Sequence, residues 1–306
     1  MSGILTTLRG MGAVIGPDTM SATLDLYAPA HRGRGGAVLR NLRYGPHERH
    51  ACNVFAPAGP PAGESGAVLQ ASRPVLVFVH GGGFVRGDKE LAGSPFYDNV
   101  GHWAARQGFV GVTMNYRLAP GFQFPAAGDD VCALVRWLQR EVRTHGGDAG
   151  KLFLVGHSAG ATHVATCLAR LGREGSVRAA VRGAVLCSGS YDLESLARDG
   201  QVPAVYFRED PVLYAAMSPA QELAGLDLPV LYAVNELEPR RFHQQGQEAA
   251  LRAMHGGAAG VFRHLFLPGH NHFSSIFNLG LPAHDVLGPG IAAFVEATLA
   301  APAPAG

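Results

Sequence analysis

Charged residues are scarce in this sequence, and neither sign predominates. They make up 16% of the 306 residues, with 25 Lys and Arg against 24 Asp and Glu and a net charge of +1. The basic residues are scattered singly or in pairs such as Arg240-Arg241, whereas sequence-independent binding to phosphates needs clustered Lys and Arg. This distribution excludes a nucleic-acid partner, and we expect the partner to be a small molecule.

The sequence also lacks long apolar runs and paired cysteines. No stretch of about 18 apolar residues occurs, so we predict neither a transmembrane helix nor a membrane partner. Near the N-terminus, the positive charge of Arg9 follows the apolar residues, which argues against a signal peptide. The four cysteines, Cys52, Cys132, Cys167 and Cys187, form no CxxC pair. They predict reduced core residues and a cytoplasmic location.

Apolar residues are abundant at 47%, enough for the core of a single α/β domain spanning residues 1–306. Runs such as VLVFV at 75–79 are apolar on both faces and alternate with helical stretches. This pattern predicts a mostly parallel eight-stranded sheet flanked by helices. The predicted strands cover residues 38–44, 52–56, 75–80, 110–115, 152–155, 181–187, 230–234 and 261–267, the first two as an antiparallel hairpin at one edge. The predicted helices cover residues 96–106, 126–143, 159–171, 242–254 and 290–299.

Two segments interrupt the alternation of strands and helices. Residues 191–226 contain short helical pieces separated by Pro203, Pro211 and Pro219, and we expect them to form a small helical cap together with residues 1–37. A cap above the carboxyl ends of the strands covers the place where open α/β sheets bind ligands. Residues 56–74 are predicted to be a loop, and residues 301–306 a disordered tail.

A GxSxG motif, Gly156 to Gly160, lies between the predicted strand KLFLV and the helix that follows it. A serine on such a sharp strand-to-helix turn has a strained backbone and an exposed Oγ, and the flanking glycines keep side chains out of the turn. The helix N-terminus adds a positive dipole end where negative charge develops during acyl transfer. The alternative is a simple strand-turn-helix joint, but the context favours Ser158 as a nucleophile.

Three consecutive glycines follow the predicted strand at 75–80, within His80 to Phe84. Because glycine runs cost conformational entropy, they indicate a backbone that must approach another group closely. We predict an oxyanion hole formed by the N–H groups of Gly82, Gly83 and Ala159. An ordinary glycine-rich turn is the alternative. A phosphate-binding loop is disfavoured because neither GxxxxGK[ST] nor GxGxxG occurs here.

A serine nucleophile needs a base and an acid that orients the base, in the chain order Ser, acid, His. Glu236 and Glu238 follow the predicted strand at 230–234, and His270 and His272 follow the predicted strand at 261–267. We choose Glu238 and His272, with Glu236 as the alternative acid. A zinc site at the two histidines is disfavoured because no third ligand has a metal-like spacing, so we predict no metal and no cofactor.

From Pro74 to Leu299 the chain resembles the α/β-hydrolase superfamily, in the branch of hormone-sensitive-lipase-like carboxylesterases. The resemblance rests on the motifs HGGGF, GDK, NYRLAP, FPAAGDD and GHSAG, on Glu238-Pro239 and on His272-Phe273. It implies the α/β-hydrolase fold, with Glu238 as the triad acid and His272 as the base. GHSAGA, SGSYDL and the HF pair are instead similar to kynurenine formamidases. In the esterase branch, the turn that carries the nucleophilic serine, called the elbow, usually has the sequence GDSAGG. His157 therefore stands where that branch usually has an aspartate.

The resemblance implies a serine carboxylesterase, and the few aromatic residues suggest a small or short-acyl ester as the substrate. An arylformamidase with the same triad is the first alternative, and a non-catalytic ligand-binding relative is the second. Phe84, Tyr191 and Phe273 are weaker candidates for substrate contacts. Asp130 and Arg117 are expected to fix the loops around the elbow. The sequence predicts no particular oligomeric state.

Overall fold

An eight-stranded sheet forms the centre of the protein in the computed structural model, which describes residues 2–31, 36–57, 73–171, 179–255 and 262–301. The strands are β1 (Val38–Arg43), β2 (Ala51–Phe55), β3 (Arg73–Val79), β4 (Val110–Met114), β5 (Gly147–His157), β6 (Val181–Cys187), β7 (Val230–Leu237) and β8 (Phe262–Asn271). Their order across the sheet is β1-β2-β4-β3-β5-β6-β7-β8. The two pairings that involve β2 are antiparallel, and the other five are parallel.

The predicted sheet and its edge hairpin are therefore confirmed. The main difference is β5, which begins at Gly147 and not at Leu152 and extends to His157, immediately before the GxSxG serine. Residues 58–72 of the predicted loop, residue 261 of the predicted last strand and residues 302–306 of the predicted tail lie outside the described residues.

Helices cover both faces of the sheet, as the apolar runs predict. The α-helices are α1 (Ser2–Met11), α2 (Pro17–Tyr27), α3 (Asp98–Arg106), α4 (Ala126–Glu141), α5 (Ala159–Leu171), α6 (Leu193–Arg198), α7 (Pro211–Met217), α8 (Ala220–Ala224), α9 (Arg240–His255), α10 (Ser274–Asn278) and α11 (Leu287–Ala300). Within the described ranges, no helix combines the length and the apolar character needed to span a bilayer.

Alternate side chains of β3 enter two separate cores. Val75, Val77 and Val79 pack on the side that holds α4 and α5, whereas Leu76 and Phe78 pack on the side that holds α3 and α11. Burial on both faces explains why the strand reads as a continuous apolar run and not as an alternating one. The parallel strands β3, β5, β6, β7 and β8 direct their carboxyl ends to one edge of the sheet, where the candidate residues lie.

Candidate active site

Ser158 occupies a sharp turn between β5 and α5. Its φ is +55°, in the left-handed region, and its N–H donates to the carbonyl of Cys187 at 2.8 Å. A Cβ atom on Gly160 would lie 2.1 Å from the carbonyl oxygen of Val79, and one on Gly156 would lie 2.5 Å from that of Gly160. These contacts leave no room for side chains, so the glycines allow the turn to pack against β3 while Ser158 projects from it.

The side chains of Ser158, His272 and Glu238 form a continuous hydrogen-bonded row. His272 Nε2 lies 2.9 Å from Ser158 Oγ, and His272 Nδ1 lies 2.8 Å from Glu238 Oε2. Glu238 follows β7 and His272 follows β8, so both groups reach the edge of the sheet where β5 delivers the serine. The imidazole and the carboxylate are buried, which keeps water from competing for these hydrogen bonds.

Two neighbouring groups hold the Glu238 carboxylate. The backbone N–H of Asn235 and the hydroxyl of Ser188 each donate to Oε1 at 2.9 Å. Glu236, the alternative acid, lies elsewhere, and its Oε2 accepts the N–H of Gly269 at 2.6 Å. Sequence reasoning missed Ser188 because this residue follows β6, and the pairing of β6 with β7 sets its contact with Glu238. It also missed Asn235, which lies on β7 three residues before Glu238.

His157, the residue before the nucleophile, contacts the backbone of the candidate base. Its Nε2 donates to the carbonyl oxygen of His272 at 2.7 Å. Burial lowers the pKa of His157 to about 3, so the ring is neutral and its single proton stays on Nε2 in this hydrogen bond. The sequence carried a signal for this contact, since His157 replaces the acid of the usual family elbow.

The glycine loop after β3 faces Ser158. Gly82 and Gly83 have φ values of +142° and +61°, and both residues line the same cavity as Ser158 and Ala159. Ala159 is the first residue of α5, so its N–H has no acceptor within the helix. A Cβ on Gly82 would lie 1.9 Å from the carbonyl oxygen of Arg86, so only glycine fits there. The three residues predicted to form the oxyanion hole therefore line one cavity together with the serine.

A cavity of about 590 Å³ opens above Ser158 and His272. Phe84 and Phe273, two of the three aromatic residues predicted to contact substrate, line it. Tyr191 does not, so that prediction is wrong. Its side chain is buried in the core, where the hydroxyl accepts the N–H of Gly189 and the ring packs against Tyr232.

Segments from both interruptions of the strand-helix alternation also line the cavity. Ile15, Gly16 and Met20 come from the N-terminal region, and residues 200–203 come from the segment after α6. α1 is anchored beside β8, where Leu8 is buried and Leu5 approaches Gly269. Both segments are therefore placed at the carboxyl edge of the sheet.

Other polar residues near the site have structural partners. His270 contacts Ser274 Oγ at 3.0 Å and the carbonyl oxygen of His284 at 2.9 Å. Asp130 accepts hydrogen bonds from the backbone and guanidinium of Arg117 and lies 3.0 Å from His50. Among the residues that the structure describes, no group of three His, Cys, Asp or Glu side chains is placed to hold a metal ion.

A family model described as alpha/beta hydrolase fold matches residues 76–255, which is more than half of the chain and includes Ser158 and Glu238. The chain belongs to this alpha/beta hydrolase family. Solved structures of similar fold include an esterase from Pyrobaculum calidifontis, with a TM-score of 0.72, 22% identity and coverage of 97% of this chain and 99% of that one. A structure titled bacterial heroin esterase has a TM-score of 0.70, 22% identity and 98% coverage of both chains.

Curated relatives of this alpha/beta hydrolase also carry esterase names. Esterase LipI of Mycobacterium tuberculosis is 38% identical over 110 residues, which are 34% of this chain and 31% of LipI. Probable carboxylesterase 13 of Arabidopsis thaliana is 26% identical over 230 residues, which are 65% of this chain and 68% of the plant protein. The chain thus matches LipI over about a third of the length of LipI. These similarities support the carboxylesterase branch of the family.

Proposed function

We propose that the protein is a serine hydrolase that cleaves carboxylic esters. The observation that carries the proposal is the hydrogen-bonded row from Ser158 Oγ through His272 to Glu238, which meets a cavity that Gly82, Gly83 and Ala159 also line. In the first step Ser158 Oγ attacks the ester carbonyl carbon, and His272 Nε2 accepts the hydroxyl proton. Glu238 holds Nδ1–H and stabilises the imidazolium.

The remaining steps use the same groups. The carbonyl oxygen becomes an oxyanion that accepts hydrogen bonds from the N–H groups of Gly82, Gly83 and Ala159, each worth about 3 kcal/mol in the transition state. The imidazolium of His272 donates its proton to the leaving alcohol oxygen, which leaves an acyl group on Ser158. Water then attacks the acyl carbon as His272 takes its proton, and His272 passes this proton to Ser158 Oγ as the acyl–oxygen bond breaks and the carboxylic acid is released.

The proposed substrate is a small ester with a short acyl chain. The cavity of about 590 Å³ supports this size, since pockets of about 300–1,000 Å³ take small organic ligands. We further propose that residues 1–37 and 191–226 act as a cap over the single domain and limit access to Ser158. The cytoplasmic location also remains a proposal that rests on the four cysteines, which are buried and free.

The deciding experiment compares hydrolysis of a short-acyl aryl ester and of N-formylkynurenine. We expect the ester to be cleaved much faster, and Ser158→Ala to reduce kcat by about a million-fold. Ser190→Ala is the matched control, because Ser190 lines the same cavity without a hydrogen bond to His272. Faster cleavage of the formamide would assign the formamidase reaction to the same residues. No turnover of either substrate would contradict the enzymatic proposal.

A further inference from the structure

The charged side chains at the cavity are all of one sign. Of the described residues that line it, Arg86 and Arg241 are the only ones with a formal charge, and no Asp or Glu is among them. Glu238 lies behind His272 and is engaged by three groups of the protein. The remaining lining is mainly apolar side chains and glycine backbone. A ligand that fills this cavity therefore meets two guanidinium groups and no accessible carboxylate.

Arg241 is half-buried, and within the described residues its guanidinium forms neither an ion pair nor a hydrogen bond. The guanidinium lies over the ring of Phe242, whose centroid is 4.6 Å from the guanidinium carbon. Burial lowers the pKa of Arg241, although the charge of the Glu238 carboxylate acts in the opposite direction, so burial has the larger effect. By contrast, Arg117 forms an ion pair with Asp130, and Arg252 forms one with Asp192. A desolvated, unpaired cation is costly, and an anion in the cavity would offset that cost.

The position of Arg241 indicates which half of an ester would carry the anion. Phe242, its neighbour in the first turn of α9, packs against the imidazole of His272 with a centroid separation of 4.7 Å. His272 must donate its proton to the leaving oxygen, so the alcohol portion occupies this wall. Arg86 lies two residues after the glycine-containing stretch His80 to Phe84, on the oxyanion side, and is exposed. Arg241 is therefore the cation beside the leaving group.

We infer that Arg241 binds a carboxylate carried on the alcohol or phenol portion of the ester, and that it makes such anionic esters the preferred substrate class. The inference rests on the proposed esterase function and adds a specificity residue to it. Because the guanidinium can donate two parallel hydrogen bonds to a carboxylate, Arg241→Lys should retain part of the preference and Arg241→Gln should lose it.

The test uses para-acetoxybenzoate and its methyl ester, in which one added methyl group removes the charge of the leaving phenol, and it follows cleavage of the acetyl ester in both. For each enzyme the ratio of kcat/KM for the charged ester to kcat/KM for the neutral one is measured, so that intrinsic reactivity cancels between variants. We expect Arg241→Gln to lower this ratio at least about tenfold, mainly through KM, and Arg241→Lys to give an intermediate value. Arg240→Gln is the matched control, since Arg240 is exposed and does not line the cavity.

The inference is overturned if Arg241→Gln changes the ratio by no more than Arg240→Gln does. It is also overturned if the wild type prefers an ester whose carboxylate lies on the acyl side, such as a hydrogen succinate aryl ester, over para-acetoxybenzoate. Lack of hydrolysis of all these esters would contradict the proposed function instead. In that case the affinity of para-hydroxybenzoate for the wild type and for Arg241→Gln is measured by calorimetry. The inference requires that Arg241→Gln binds it more weakly, and equal affinities would overturn the inference.

Discussion

The two glutamates at the end of β7 lie two positions apart, yet their carboxylates face different groups. Glu238 contacts His272, whereas Glu236 accepts the N–H of Gly269. We expect Glu238→Gln to lower kcat by about ten-thousand-fold, because the amide can donate to Nδ1 and favour the wrong imidazole tautomer. Glu236→Gln keeps an acceptor for Gly269 and should stay within about tenfold of the wild type. Steady-state kinetics on a short-acyl aryl ester measure both, and the reverse order of effects would assign the acid to Glu236.

His157 is a positioning residue that acts through the backbone of His272. His157→Phe keeps a ring in the same space but removes the Nε2 donor, which leaves the buried carbonyl of His272 without this partner. We expect the free energy of unfolding to fall by about 1–3 kcal/mol. Since the imidazole of His272 loses a constraint, kcat should fall about tenfold while KM changes little. Urea unfolding and ester kinetics on one preparation test both effects, and an unchanged kcat would remove His157 from the catalytic geometry.

Sequence reasoning located single residues best where the chemistry is local in the chain. Ser158 and its flanking glycines occupy one turn, so the motif itself predicts their placement. The prediction that Tyr191 contacts substrate is wrong because Tyr191, which follows β6, packs against Tyr232 of β7 in the core. The hydroxyl of Ser188 on Glu238 is a similar case. Such contacts depend on strand order, which a single sequence does not specify.

At the scale of elements, the glycine loop after β3 combines two different requirements for glycine. At Gly82 a Cβ would collide with the Arg86 carbonyl, whereas at Gly83 it would meet open space and only the positive φ disfavours a side chain. We expect Gly82→Ala to displace the loop and lower kcat by about a hundred-fold or more. Gly83→Ala keeps the N–H and should cost about 1–2 kcal/mol of stability with a smaller loss of kcat.

Kinetics and thermal unfolding of the two loop variants distinguish these requirements. The prediction is that Gly82→Ala lowers kcat more than Gly83→Ala does. The two variants are comparable because each adds one methyl group to adjacent positions of the same loop. Equal losses of kcat, or a larger loss for Gly83→Ala, would mean that the close approach of Gly82 to Arg86 does not set the geometry of the oxyanion site.

The strands were predictable as elements because burial on both faces produces continuous apolar runs, as at β3 and β6. The true start of β5 was not. Its first residues, Gly147 to Lys151, include Asp148 and have weak strand propensity, and they extend the strand through pairing with β3 near Arg73. The exchange of β3 and β4 in the strand order was equally hidden, because pairing between strands distant in the chain leaves no local sequence pattern.

At the scale of the whole molecule, three histidines are buried in uncharged form around the carboxyl edge of the sheet. Burial lowers the pKa of His80 to about 4 and those of His157 and His163 to about 3. In the unfolded chain each has its ordinary pKa of about 6.5. Between these values the unfolded state binds more protons than the folded state, so stability rises with pH and is lost as pH falls below about 6.5.

We expect each of these three histidines to remove about 1.4 kcal/mol of unfolding free energy per pH unit once the pH is well below 6.5. His163 offers the cleanest test, because it lies outside the row of Ser158, His272 and Glu238 and neither of its ring nitrogens has a hydrogen-bond partner in the described residues. His163→Leu removes the titrating group and keeps a side chain of similar volume. It should reduce by about a third the slope of unfolding free energy against pH that these three histidines produce, and it should leave stability near pH 7.5 little changed. Urea unfolding at several pH values between 5 and 7.5 measures the slope. A slope identical to that of the wild type would mean that the ring of His163 is protonated in the folded protein, which would require water or an acceptor beside it in solution.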